Sequence, residues 1–367
     1  MAPDSLGAEL VALAAAVLTA VLLSPLWNVA GGRWRLPVRG AALTACLLTA
    51  TAAGLIWVNH EVDVYPTWGS LVSSDPAEAA AATGPHPAST KTGATTGQML
   101  TTTVAGKASG LTMPVYVYLP PGYGQQPDVH YPVIEALHGY PGSPVQWVHR
   151  MNVGKILDRE ITAGRMSPTV VLFPYQTPSP TIDTECANLD GGPQAETFLT
   201  VDLPAEVRAD YHVRADPAGW GLIGYSAGGY CATNLLLRHP DRYAAGASLS
   251  GDATPGIHIG KGAENTVYND LWRLTHLPIP AVALYLACAT TDRIPVRDMH
   301  DLARAAHAPL SVTTAYVGGG GGHNVGTWEA MEAPAFDWLS TSLGRPVVPP
   351  PSGEPQPSPV GSPAGGR

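Results

Sequence analysis

Trp220-Gly-Leu-Ile-Gly-Tyr-Ser-Ala-Gly-Gly-Tyr-Cys231 is the stretch from which the rest of the chain can be read. An apolar run enters Gly224-Tyr225-Ser226-Ala227-Gly228, and a helix-compatible segment, Tyr230 to Arg238, follows at once. A strand that turns this tightly into a helix holds its serine in a strained conformation with the hydroxyl exposed. Glycine two residues before and after the serine removes side chains that would crowd the crossing of strand and helix. The plainer reading is an ordinary strand-to-helix turn whose small residues only help packing. The order of apolar strand, turn and immediate helix favours a nucleophile.

Outward from this stretch, short apolar runs alternate with long helix-compatible intervals. The runs are Leu100–Val104, Met113–Tyr118, Pro132–Leu137, Thr169–Phe173, Gly221–Gly224, Gly246–Leu249, Val282–Cys288 and Val312–Val317. That alternation predicts an α/β architecture with a mostly parallel sheet covered by helices. The first two runs are close enough to pair as an antiparallel hairpin. Val201 to His212 is expected to form the helix before the nucleophile strand, and Met331 to Leu343 the closing helix. Residues 98–343 suffice for one α/β-hydrolase sandwich.

Attack by Ser226 on an ester makes a negative tetrahedral oxygen, which needs donors placed in advance. Ala227 supplies the first backbone N–H, directly after the serine. His138-Gly139-Tyr140-Pro141-Gly142 follows the third run, and Tyr140 is expected to give the second N–H, with Gly139 as its competitor. His138 is read as organising this turn. The serine also needs a base and a group that orients it. His323, in Gly318-Gly-Gly-Gly-Gly-His-Asn-Val-Gly-Thr-Trp328, lies after the last strand and before the last helix, a position that returns an imidazole to the top of the sheet. Asp292, in Ala289-Thr-Thr-Asp-Arg293 beyond the seventh run, is the expected acid, with Asp252 as runner-up and a salt bridge to Arg293 as the structural alternative. Ser226, Asp292 and His323 then follow the chain order of such hydrolases. Trp147 and Tyr175 are candidates for the substrate pocket, or equally for the core.

The amino-terminal end has a different character. Residues 10–30 and Ala41 to Val58 are apolar runs, each long enough to cross a bilayer as a helix. Arg33, Arg35 and Arg39 occupy the connection, while Asp4, Glu9, Glu61 and Asp63 flank the outer ends. Positive charge favours the cytoplasmic side, so residues 1–60 are expected to be a two-helix membrane anchor with both chain ends outside the cytoplasm. A signal peptide is the rival, but it does not account for two runs. Residues 61–97 read as a flexible linker and 344–367 as a Pro/Gly/Ser-rich disordered tail.

A net charge of −9 and the scarcity of lysine argue against a nucleic-acid surface. Cys46 falls in the second apolar run. Cys186, Cys231 and Cys288 permit one disulfide, in any of three pairings. Asp183, Glu185, Asp190 and Glu196 lack metal-ligand spacing and read as acidic solvation, so neither a metal nor a cofactor is expected.

Leu137-His-Gly-Tyr-Pro-Gly142, Glu196-Thr-Phe-Leu-Thr-Val-Asp-Leu-Pro204, the elbow and His323-Asn-Val-Gly-Thr-Trp328 together resemble the esterase D branch of the α/β-hydrolase superfamily, which includes antigen 85-like extracellular mycolyltransferases. The resemblance implies Ser226 as nucleophile, His323 as base and Tyr140 and Ala227 as oxyanion donors. Two departures matter. Those transferases carry methionine in the elbow and use glutamate as the acid. The expectation is therefore an extracytoplasmic serine esterase acting on an acyl ester or lipid-like substrate. The alternatives are an acyltransferase that passes an acyl or mycolyl group to a sugar alcohol, and a non-catalytic cell-envelope module.

Overall fold

The computed structural model describes residues 5–29, 31–62, 96–318 and 321–349, together with positions 3, 65 and 68. Most of the expected linker and tail lies outside the described residues.

Eight strands form one sheet: β1 (Gln98–Ala105), β2 (Thr112–Leu119), β3 (Val133–Leu137), β4 (Val170–Pro174), β5 (Trp220–Tyr225), β6 (Ala245–Leu249), β7 (Ala283–Ala289) and β8 (Ser311–Val317). Their spatial order is β1-β2-β4-β3-β5-β6-β7-β8. The β1–β2 hairpin and the β2–β4 pair are antiparallel, and all remaining pairs are parallel. Every residue of β3, β4, β5 and β6 is buried, as expected of strands covered on both faces. At the edge, β8 is largely exposed or half-buried.

Alternation along each strand divides the apolar side chains between two cores. Val133 and Leu137 of β3 enter one, and Ile134 and Ala136 the other; Leu222 and Ile223 of β5 divide in the same way. The first core is covered by α4 (Leu203–Asp210), α5 (Ala227–Arg238) and α7 (Arg293–Ala305). The second is covered by α3 (Val153–Thr162) and α8 (Val325–Ser342). A short helix, α6 (Asp270–His276), follows β6. The closing helix begins at Val325, six residues earlier than the sequence suggested, because Asn324 caps it by accepting the Thr327 N–H at 3.1 Å.

Register carries the functional consequence. Val133 pairs with Trp220 and Leu137 with Gly224, so the turn after β3 emerges beside the turn after β5. Cys186 is bonded to Cys231 of α5, which ties the long excursion after β4 to the helix that follows Ser226. Closing a loop of this size contributes about 2–4 kcal/mol. Cys288 is free and buried. The ordered chain also continues past Leu343. Val347 and His130 exchange both backbone hydrogen bonds, and the Gly344 N–H donates to Ala218.

The Glu196–Pro204 segment has a structural explanation. Glu196 is buried, not solvated as the sequence suggested, and it binds Arg238 and His239 at the far end of α5. Asp202 accepts the backbone N–H groups of Ala108 and Ser109 and so pins the turn between β1 and β2.

Before the sheet stand α1 (Leu6–Val29) and α2 (Arg35–Val62). Glu9 meets His60 at one end, Thr19 meets Thr49 in the middle, and Arg39 meets the Trp27 carbonyl at the other end, so the pair is antiparallel. By length and composition both are apolar enough to cross a membrane, and Leu10, Val17, Val21, Leu47 and Leu55 on their outer surfaces are exposed.

Candidate active site

Ser226 stands between the last residue of β5 and the first of α5 with φ 54° and ψ −127°. A non-glycine residue held there costs on the order of 1–3 kcal/mol and is retained where its surroundings over-determine it. Here the Ser226 N–H donates to the Leu249 carbonyl at the end of β6, at 2.9 Å. A Cβ on Gly224 would overlap the Gly228 backbone, and one on Gly228 would overlap the carbonyls of Leu137 and His138. The two glycines are therefore required by the crossing itself.

The serine hydroxyl lies 2.7 Å from His323 Nε2, and His323 Nδ1 lies 2.8 Å from Asp292 Oδ2. A carboxylate can only accept, so Nδ1 carries the hydrogen and the neutral ring offers Nε2 as acceptor to the Ser226 O–H. Asp292 is buried at the foot of α7, whereas the His323 side chain is 42% exposed. The hydroxyl of Thr291 donates to the Gly321 carbonyl and joins the loop of the acid to that of the histidine. Gly319 and Gly320 lie outside the described residues. Asp252, the runner-up acid, lies near enough to interact with His323 electrostatically, and burial raises its carboxyl first, followed by Asp298 and Asp292. The hydrogen bond to His323 belongs to Asp292.

Ala227 is the first residue of α5, so its N–H has no acceptor inside the helix. Tyr140 follows β3 in the neighbouring turn. No hydrogen bond among the described residues occupies either N–H. Gln176 holds this turn on both sides: its Oε1 accepts the His138 N–H at 2.7 Å, and its Nε2 donates to the His138 carbonyl at 3.1 Å. His138 Nδ1 donates to the Gly139 carbonyl, and burial pushes the imidazole down to about 4. A neutral, enclosed ring of this kind braces the turn.

These groups border a cavity of about 300 Å³ between the Gly139–Pro141 turn and the His323 loop. Sequence reasoning did not single out its other walls. Trp328 stacks on Tyr225 at 4.5 Å between ring centroids and presents its face or edge at 90° to His323 at 5.1 Å. Tyr225 donates its hydroxyl to Gln146, which also lines the cavity. Trp328 stands five residues after His323, on the first turn of α8. Trp147 is fully buried, donates its indole N–H to the Leu137 carbonyl and packs on Phe173, Tyr225 and Phe336. Tyr175 is also buried in the core, beside His138. Neither is among the residues that line the cavity.

Comparison with known proteins gives the family and the fold. The sequence model of the Esterase family matches residues 106–334. An uncharacterized protein of Corynebacterium glutamicum is 27% identical over 361 residues, which is 91% of this chain and 82% of that one. A diacylglycerol acyltransferase/mycolyltransferase of Mycolicibacterium smegmatis is 37% identical over 91 residues, spanning 23% of this chain and 27% of that protein. Among solved structures, a ferulic acid esterase superposes with a TM-score of 0.59 at 19% identity, covering 68% of this chain and 99% of its own. The fold is that of the α/β-hydrolases, the arrangement is serine-hydrolase-type catalytic machinery, and the chain belongs to the Esterase family.

Proposed function

We propose that this protein is a membrane-anchored serine esterase that cleaves carboxylic esters through an acyl-serine intermediate, with Ser226 as nucleophile, His323 as base and Asp292 as the orienting acid. The observation that carries this reading is the unbroken hydrogen-bonded line from the Ser226 hydroxyl through His323 to Asp292. His323 Nε2 takes the serine proton as Oγ attacks the ester carbonyl. The N–H groups of Ala227 and Tyr140 receive the developing oxyanion, each such donor being worth roughly 10²–10³ in rate. The imidazolium gives its proton to the departing alcohol, and the neutral ring then deprotonates water to release the acid. Val325, Trp328 and Pro141 provide the apolar wall for the acyl or alcohol group.

The esterase D branch is the reading that the motifs favour within the superfamily. The anchor is the α1–α2 pair, with the catalytic unit, residues 98–343, held outside the cytoplasm. The arginines at the connection, Arg33, Arg35 and Arg39, support that orientation.

A second reading has a specific observation behind it. The local likeness to a diacylglycerol acyltransferase/mycolyltransferase suits transfer of the acyl group to a sugar alcohol in place of water. The half-exposed imidazole leaves room for either acceptor.

A fluorophosphonate should label the protein once, at Ser226, and the label and ester turnover should both vanish in Ser226→Ala. Persistent labelling in that variant, or none in the native protein, sinks the proposal. Product analysis with water alone and with an added sugar separates free acid from acylated sugar.

A further inference from the structure

The apolar hairpin does not hang free of the catalytic unit. Arg150 ends the π-helical turn Gln146–Arg150 and donates from Nη1 to the His60 carbonyl at 2.7 Å, with the His60 ring nitrogens at 3.2 and 3.5 Å. His60 Nε2 in turn lies 3.7 Å from Glu9 of α1, so both helices of the hairpin share this junction. One residue earlier, Asn59 is buried and exchanges two hydrogen bonds with the backbone of Tyr65, at 2.9 and 3.0 Å, which ties Tyr65 to the end of α2. Tyr65 lies within electrostatic reach of Tyr140: burial first, then Asp183 and Tyr65, raise the Tyr140 phenol above its ordinary value.

The two sides of the junction have distinct surroundings. On the hairpin side, Trp57 and Val58 are exposed immediately before Asn59, so the apolar surface of α2 ends there, with an aromatic residue of the kind that favours the level of lipid headgroups. On the catalytic side, Arg150 is four residues from Gln146, about one helical turn, and Gln146 and Tyr140 both border the cavity that holds Ser226. The end of the membrane-compatible surface and the wall of the pocket are joined through a single turn, in which Gln146 is buried while Tyr140 across the cavity is half-buried.

We infer that the Glu9–His60–Arg150 junction holds the mouth of the pocket at the outer membrane surface, so that the enzyme takes an amphiphilic acyl ester from the bilayer. This rests on the membrane-anchored esterase reading and narrows its substrate class. An ester whose acyl chain stays in the lipid needs its carbonyl to reach Ser226 near headgroup level, and a swivelling domain would meet that geometry only part of the time. Arg150 acts here as a positioning residue. It does not border the cavity.

The test uses the full chain reconstituted in phosphatidylcholine vesicles, with rates expressed per Ser226 labelled by fluorophosphonate. Two probes are compared: a long-chain fluorogenic ester embedded in the vesicles and the water-soluble 4-nitrophenyl butyrate. Arg150→Ala should lower kcat/KM on the embedded ester by about tenfold, the scale of one lost charge-assisted hydrogen bond, and leave the soluble ester unchanged. Arg150→Lys, which keeps a charged donor, should recover part of the embedded-ester rate. Equal falls on both probes per labelled site, or no fall on either, overturn the inference. A native protein that neither labels nor turns over the soluble ester defeats the esterase reading itself, and the inference falls with it.

Discussion

Two histidine–carboxylate pairs stand at opposite ends of the nucleophile helix α5, and both have the same 2.8 Å separation. At the amino-terminal end, His323 binds Asp292 and turns its second nitrogen to Ser226. At the carboxyl-terminal end, His239 binds Glu196, whose carboxylate is also engaged by Arg238 and by the hydroxyl of Tyr268. The Glu196 side chain is 6% exposed, and Arg238 further covers the Tyr268 ring at 4.0 Å. Burial alone would raise this carboxyl, but the His239 hydrogen bond, the Arg238 charge and Tyr268 hold it down to about 2. One pair therefore has a carboxylate that orients a ring and a ring that can exchange a proton with its neighbour. The other has a saturated carboxylate that fastens two segments of chain. Pair distance alone does not identify a catalytic histidine; the free ring nitrogen and its target do.

Three substitutions break or sharpen this contrast, in falling order of effect. Asp292→Asn keeps the shape but removes the acceptor that fixes the His323 tautomer, and kcat should fall by about 10⁴-fold with the melting temperature little changed. Comparable turnover in that variant would transfer the role of acid to Asp252. Glu196→Gln should do the reverse. Turnover per folded molecule stays near the native value, while stability falls by roughly 3–5 kcal/mol, the cost of stranding a buried charge partner. Denaturant titration measures the loss. The same variant has a pH signature. A carboxyl lowered from 4.5 to about 2 contributes stability that is complete above pH 4.5 and disappears as pH falls toward 2, so the native protein should show this acid-dependent loss and Glu196→Gln should lack it. Trp328→Ala removes the ring against which His323 rests, and kcat should drop by about tenfold through looser aim of the imidazole. A fall confined to KM would instead make Trp328 a substrate wall only.

The elbow was legible because no other residues fit it: glycine at 224 and 228 is dictated by backbone contact, and that constraint is visible in one dimension. The central apolar runs, β3 to β6, were legible for a related reason, since strands buried on both faces leave few polar positions. Strand order was not, because β3 reaches its place between β4 and β5 through contacts between distant segments. Tyr140 and Ala227 could be named from their position after strands. Trp328 and Gln146 could not, since an aromatic or an amide near a helix start looks the same whether it faces a cavity or a core. Trp147 illustrates this ambiguity from the other side, lying under the site with no access to it. The cysteine pairing was open because three thiols allow three bonds, and only the fold brings Cys186 to α5. Glu196 was misjudged because sequence cannot reveal that Arg238, His239 and Tyr268 converge on it.

The double hold of Gln176 on His138 has a thermal consequence. The turn that offers Tyr140 is laced to the central strands before any ester arrives, and the Cys186–Cys231 crosslink lies against the same amide. It belongs to the cooperative unit of the sheet and is not a separately melting flap. On heating, ester turnover should therefore be lost together with the fold, and parallel activity and circular-dichroism melts check this.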